Sequence, residues 1–198
     1  IGVLEIPVGD QSQFQLTPGT LESLSENIDG LIITSPSNPT GSMISAAAMS
    51  DLVGWCDQSG VRLISDEIYH GIVYGEEAST ALSYGNDVIV INSFSKYFSM
   101  TGWRLGWMVI PESMQRSIEC LTQNLFVSPP SLSQLAATAA FDCLDELDQN
   151  VERYRRNREL LLNELPKAGL EKFAPVDGAF YVYANVSHLT MIVKNFVK

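Results

Sequence analysis

The stretch VRLISDEIY, residues 61–69, holds the pattern that decides the fold. It opens with a mostly apolar run of strand length, and Asp66 follows directly where that run ends. A short run of aliphatic residues bounded by polar ones predicts a strand buried on both faces. The acidic residue after it predicts a polar group at the carboxyl end of that strand.

Similar apolar runs predict further strands at residues 3–6, 31–34, 88–91, 105–110 and 179–183. Helical spacing of apolar residues lies between or after several of them, at Leu21, Leu24, Met49, Leu52, Val53, Cys56, Met114, Ile118, Leu121, Val151, Tyr154 and Leu161. Buried strands that alternate with helices predict an α/β fold, with a mostly parallel sheet flanked by helices.

Composition excludes several classes of partner. The 198 residues carry a net charge of −11, which argues against nucleic acid and anionic membranes, because both require a basic surface. No run of 18 apolar residues is present, so we expect no membrane-spanning helix. The three cysteines are far apart and show no metal-ligand spacing. We therefore expect no metal site, and reduced thiols in a cytoplasmic protein.

Three polar loops follow predicted strands, and each carries residues suited to chemistry. They are SPSNPTG at residues 35–41, DEIY at residues 66–69 and SFSK at residues 93–96. In open α/β sheets, ligands bind outside the carboxyl ends of the strands. The three loops are therefore expected to converge on one site.

The third loop suggests covalent chemistry. A lysine placed just past a buried strand, here Lys96, can attack a carbonyl group. Ser93 offers a hydroxyl to a phosphate group, and Arg104 offers a planar guanidinium fork. This combination suits a cofactor that carries an aldehyde and a phosphate and is held as a Schiff base.

The first two loops complement that lysine. Asp66 could hold a protonated pyridine nitrogen by a charge-assisted hydrogen bond. Asn38 and Tyr69 could donate to a phenolate oxygen on the same ring. Each motif alone also has an ordinary interpretation, as a turn, a helix N-cap or a solvated lysine. Arg104 could likewise pair with any surface carboxylate, and four such features in order favour the functional interpretation.

These motifs, with TGWRLG at residues 101–106 and GAFY at residues 178–181, closely resemble the class I/II aminotransferases, which are pyridoxal-phosphate enzymes of fold type I. The resemblance implies a seven-stranded-type sheet and a homodimer. It also implies the cofactor pyridoxal 5'-phosphate and amino acid and 2-oxo acid substrates. It makes Lys96 the catalytic, Schiff-base lysine, with cofactor contacts from Asn38, Asp66, Tyr69, Ser93 and Arg104.

The resemblance also implies segments that this sequence does not show, at both ends. We therefore expect a fragment that is inactive in isolation. Residues 1–150 are predicted to belong to the cofactor-binding large domain, and residues 151–198 to a connecting helix and part of the small domain. Three functions stay open. They are transamination, elimination as in a C–S lyase or a cyclising lyase, and ligand sensing without catalysis.

Overall fold

The structure of the chain, a computed structural model, describes residues 2–189 and centres on one sheet. The four strands are Gly30–Thr34 (β1), Arg62–Asp66 (β2), Val88–Ser93 (β3) and Gly106–Val109 (β4). They lie side by side in that order. The pairs β1–β2 and β2–β3 are parallel, whereas β3 and β4 pair antiparallel. The prediction of an α/β fold with a mostly parallel sheet is confirmed.

Five α-helices accompany the sheet: Pro18–Glu22 (α1), Ala46–Ser59 (α2), Gln115–Leu125 (α3), Ser131–Ala140 (α4) and Leu144–Glu164 (α5). Their ends follow from local chemistry. The Thr17 and Ser45 side chains accept hydrogen bonds from backbone N–H groups in the first turns of α1 and α2. The left-handed backbone of Gly60, with φ of 67°, ends α2.

The core lies between α2 and the first three strands. The face of α2 that the sequence spacing predicted is buried, and it packs against apolar side chains of all three strands. The cluster includes Met49, Leu52, Val53, Cys56, Leu31, Ile33, Leu63, Val88 and Val90. We call residues 30–93 the packed region, because apolar side chains from each of its strands enter this core.

The chain after the loop that carries Lys96 is more open. The three large apolar residues of β4, Trp107, Met108 and Val109, are 38–42% exposed. None of the residues of α3 is buried, and Leu125 at its end is 66% exposed. We call residues 106–144 the open region. Its strand and helices carry apolar side chains that the described residues only partly cover.

Two predicted strands are absent from the described structure. Residues 3–6 have no regular structure, and Val3 is 86% exposed, because no described strand lies beside them to accept their backbone hydrogen bonds. Residues 179–183 form no strand either. Their backbone turns at Ala179, where φ is 57°, so the chain cannot stay extended there.

Two further expectations concern the organisation of the chain. The predicted domain boundary at residue 150 falls inside α5, and it stays a prediction. Within residues 2–189, no helix combines the length and the apolar composition that crossing a membrane requires.

Candidate active site

The carboxyl ends of β1, β2 and β3 lie at one edge of the sheet. In the parallel register Thr34 pairs with Asp66, and Asp66 pairs with Ile91. The loops that follow these strands therefore start side by side. This arrangement follows from the parallel pairing, which brings the ends of neighbouring strands to the same edge.

The turn after β2 fixes Asp66 and Tyr69. Asp66 Oδ1 accepts a hydrogen bond of 3.1 Å from the backbone N–H of Ile68, while Tyr69 is 1% exposed. Burial raises the pKa of the Asp66 carboxyl, and the neighbouring Glu67 raises it further, against the Ile68 N–H and Lys96. A partly desolvated carboxylate of this kind gains from a nearby positive charge.

The last residue of β3 and the connection from β3 to β4 carry three of the predicted residues, Ser93, Lys96 and Arg104. Because β4 returns antiparallel beside β3, residues 94–105 form a loop whose two ends meet. Ser93 Oγ lies 3.2 Å from the carbonyl oxygen of Leu105 at that junction. The Thr101 hydroxyl donates a 2.6 Å hydrogen bond to the carbonyl of Ser95, which ties the far side of the loop to the residue before Lys96.

Arg104 lies at the end of the same loop. Its backbone is left-handed, with φ of 52°, and its exposed guanidinium donates from Nη1 to the carbonyl of Thr101 at 3.2 Å. The hairpin therefore brings Ser93 and Arg104 to the same end of β3 and β4. Both can offer donors to an anionic group at that end.

Lys96 points toward the turn after β2. Its Nζ lies 5.3 Å from the ring centroid of Tyr69 and 5.5 Å from that of Phe180. Its charge also acts on the Asp66 carboxyl, where it lowers the pKa. The structure thus brings Lys96, Asp66 and Tyr69 together at the sheet edge, as the strand-end pattern predicted.

Asn38 is less closely involved. Its side chain is exposed in the loop after β1, and within residues 2–189 no hydrogen bond joins that side chain to Lys96. The described contacts of this loop reach the late segment instead, where Gly178 N–H donates to the carbonyl of Gly41 at 2.9 Å. The role of Asn38 stays a prediction.

Two aromatic residues near Lys96, Phe180 and Tyr181, were not among the predicted site residues. Phe180 contacts the amine of Lys96, and the Tyr181 hydroxyl lies 2.6 Å from the Tyr69 hydroxyl. The available signal was the GAFY motif at residues 178–181, since its place in the sequence relative to the three strand-end loops matched the resemblance.

A cavity of about 380 Å³ lies elsewhere. Gly60, Arg62, Asp87 and Val88 line part of it, at the amino ends of β2 and β3. These positions are at the opposite end of the strands from Asp66 and Lys96. We therefore place the candidate site at the carboxyl edge, where the reactive groups are, and not in this cavity.

Comparison with known proteins identifies the family of this chain. The family model described as "Aminotransferase class I and II" matches residues 1–196. The chain belongs to the class I and II aminotransferases. It is 47% identical over 192 residues to the valine–pyruvate aminotransferase of Mycobacterium tuberculosis. The match covers 95% of this chain and 50% of that protein.

Solved aminotransferase structures have the same fold. An aminotransferase from Mycobacterium tuberculosis matches with a TM-score of 0.92 and 45% identity, over 96% of this chain and 52% of that one. The aspartate aminotransferase of Thermus thermophilus matches with a TM-score of 0.88 and 27% identity, over 94% of this chain and 53% of that one. The chain therefore spans about half the length of the aminotransferases it matches.

The residues present fit the cofactor that this aminotransferase family implies, pyridoxal phosphate. The test is the Asp66 carboxyl, because its partial burial disfavours its charged form. A cationic pyridine nitrogen beside it would compensate for that cost. The charge of Lys96 acts on the same carboxyl, and Ser93 and Arg104 offer donors of the kind that bind phosphate. The donor set therefore matches the cofactor's aldehyde, ring nitrogen and phosphate.

Proposed function

We propose that the complete protein carrying this chain is a pyridoxal-phosphate-dependent aminotransferase, which moves an amino group between an amino acid and a 2-oxo acid. The observation that carries the proposal is the position of Lys96, whose amine lies beside the rings of Tyr69 and Phe180 and whose charge acts on the half-buried carboxyl of Asp66. Membership of the aminotransferase family supports it.

Each residue has a chemical task in this proposal. Lys96 would hold the aldehyde group of the cofactor through its amine and, when that amine is free, would carry a proton between substrate carbon and cofactor. Asp66 holds the ring nitrogen in its protonated form, while Ser93 and Arg104 bind the phosphate. Tyr69 and Asn38 donate hydrogen bonds to the ring oxygen. The bound cofactor itself supplies an electron sink for the substrate carbanion.

The arrangement of these residues favours proton transfer by Lys96. Its amine lies beside two aromatic rings, which exclude water from one side of it. The loop that carries it is tied by hydrogen bonds at both ends, so the amine returns to one position after each transfer. We therefore assign the proton-transfer step to Lys96.

The relatives suggest which substrates to test first. Valine and pyruvate are the first pair, because the Mycobacterium tuberculosis relative is named for them, and aspartate is the second amino donor. We expect pyridoxal phosphate added to the complete protein to give a visible absorption band. We also expect borohydride reduction to fix the cofactor on the peptide that contains Lys96.

Variants of two lysines test the assignment. Lys96→Ala should lose the borohydride-stable label and reduce the transamination rate by about a thousandfold or more. Lys167→Ala is the matched control, because Lys167 lies on the surface after α5 and pairs with Glu164. Binding of the label to Lys96→Ala, or no label on the wild type, would contradict the proposal.

Product analysis separates transamination from elimination. An aminotransferase converts pyruvate to alanine and releases no free ammonia when valine is the donor. Ammonia released together with a 2-oxo acid from an amino acid that carries a sulfur leaving group on its β-carbon, without any second substrate, would assign the protein to the lyases instead, because valine has no group to eliminate. Cofactor binding with neither reaction would favour the sensing function.

Two finer points belong to the same proposal. We propose that two copies associate as a homodimer, since the exposed apolar residues of the open region are the kind that an interface covers. We also propose a cytoplasmic location, since all three cysteines are free thiols. Light scattering of the complete protein and its distribution after cell fractionation test these two points.

A further inference from the structure

The segment at residues 178–181 is fixed against the loops after β1 and β2. The Gly178 N–H donates to the carbonyl of Gly41, and the Ala179 N–H donates to the carbonyl of Ile72, both at 2.9 Å. A side chain at position 178 would place its Cβ 2.5 Å from Pro36 Cγ and 2.9 Å from the Ile72 carbonyl oxygen. Only glycine allows so close an approach. The side chains of Phe180 and Tyr181, which follow Ala179, are therefore held at the carboxyl edge of the sheet.

Phe180 forms one side of the surroundings of the Lys96 amine. The Tyr69 and Phe180 rings meet edge to face, with centroids 5.5 Å apart. The Lys96 Nζ lies 5.3 Å from the first centroid and 5.5 Å from the second, so the three form a nearly equilateral triangle. The amine therefore lies in the notch of an aromatic pair and contacts both rings, which attract a cation.

Tyr181 acts on the other end of Tyr69. Their hydroxyl oxygens are 2.6 Å apart, and their rings pack edge to face with centroids at 5.7 Å. Tyr69 is almost completely buried, so its hydroxyl needs a polar partner. Burial raises the pKa of Tyr69, and the Tyr181 hydroxyl raises it further, so the Tyr69 hydroxyl keeps its proton.

We propose that Phe180 and Tyr181 belong to the working site. Phe180 shields and locates the Lys96 amine, and Tyr181 is a positioning residue that orients the Tyr69 hydroxyl toward the cofactor. The inference rests on the proposed function, since Lys96 and Tyr69 are the cofactor contacts it concerns. It adds two residues from the far end of the described chain to a site otherwise built from strand-end loops.

The role of Phe180 is tested without the cofactor. The complete protein is treated with an amine-acylating reagent, and modification of Lys96 is followed by peptide mass spectrometry, with Lys167 as the internal reference. We expect Phe180→Ala to increase the modification rate of Lys96 severalfold, because the amine loses one of its two ring contacts. Phe126→Ala is the matched control, since Phe126 is an exposed aromatic residue at the end of α3. Equal rates in wild type and Phe180→Ala would overturn this role.

The role of Tyr181 is tested by a double-mutant cycle on cofactor binding. Tyr181→Phe should weaken pyridoxal phosphate binding about fivefold, the effect of one lost hydrogen bond. The same change in a Tyr69→Phe background should have no effect, because the hydroxyl that Tyr181 orients is already absent. Tyr183→Phe is the control, since Tyr183 lies two residues further on and packs against Phe14.

The outcomes separate this inference from the function on which it rests. A Tyr181→Phe effect of equal size in both backgrounds would show a general structural role and overturn the positioning role. If the wild type binds no pyridoxal phosphate, the proposed function and the role of Tyr181 both fail. The acylation experiment still decides the contact between Phe180 and Lys96 in that case.

Discussion

The packed region and the open region are built from similar elements but bury them differently. In the packed region Leu52 on α2 is fully buried, and Leu63 on β2 is 1% exposed. In the open region Leu125 and Leu132 are 66% and 70% exposed. An apolar pattern thus predicts that a face is buried, but it does not predict which part of a protein covers that face. The difference also indicates that the packed region stabilises the fold, whereas further contacts are to be expected in the open region.

The largest difference between the regions should appear when a leucine is truncated in each. We expect Leu52→Ala to lower the free energy of unfolding by about 3 kcal/mol, because it removes buried contacts and leaves a cavity. Leu125→Ala should change it by less than about 0.5 kcal/mol. Urea unfolding followed by circular dichroism measures both. Equal losses would show that the open region is as well packed as the core.

A buried glutamate should give the next largest effect. Glu67 is 2% exposed and accepts hydrogen bonds from the Ser65 hydroxyl at 3.0 Å and the Ala81 N–H at 2.9 Å. Glu67→Ala leaves both donors buried without this acceptor, so we expect a loss of about 2 kcal/mol by the same unfolding measurement. Glu67→Gln keeps an acceptor oxygen and should recover part of the loss. A larger loss for Glu67→Gln than for Glu67→Ala would contradict this account.

Strand positions in the packed region were largely predictable, because buried parallel strands are short apolar runs ended by polar residues. The pattern failed where a strand needs a partner, since the exposed residues 3–6 are also mostly apolar but have no strand beside them. The apolar pattern also did not predict whether β4 runs parallel or antiparallel to β3. The convergence of Asp66 and Lys96 followed from parallel geometry, whereas the approach of Phe180 depends on a turn at Ala179 that no periodicity reveals.

The pH dependence of stability should come from the packed region as well. Burial lowers the pKa of His70, against the nearby Glu67 carboxylate, so folded His70 resists protonation. The unfolded chain takes up that proton near the ordinary histidine pKa of about 6.5. Stability due to this group is therefore present above that pH and is lost as the pH falls through it.

We therefore expect the free energy of unfolding to fall between about pH 7.5 and about pH 5.5, on either side of the ordinary histidine pKa. His70→Asn should reduce the slope, and His188→Asn, at an exposed position, should not. Asp66 has the opposite effect on the free energy of unfolding. Because its pKa is raised in the folded chain, the folded state binds the extra proton, and stability due to this group rises as the pH falls, in a window that begins at more acid pH than that of His70. An unchanged slope in His70→Asn would contradict the assignment.

The smallest effect should come from a surface charge pair in the open region. Arg116 Nη1 lies 3.7 Å from Glu119 Oε2 on α3, and both side chains are largely exposed. Glu119→Ala should lower stability by no more than about 0.5 kcal/mol, and the difference should shrink further in high salt. A loss comparable to that of Glu67→Ala would remove the contrast between the two regions.

The hydroxyl pair of Tyr69 and Tyr181 joins residues 112 positions apart. The loop that carries Lys96, by contrast, closes within the β3–β4 hairpin. During synthesis the chain emerges from its amino end, so the lysine and its loop can form while more than 70 residues remain to be added before Tyr181. The aromatic notch around the amine is completed only when that late segment leaves the ribosome. Until then the reactive lysine lacks half of its shield.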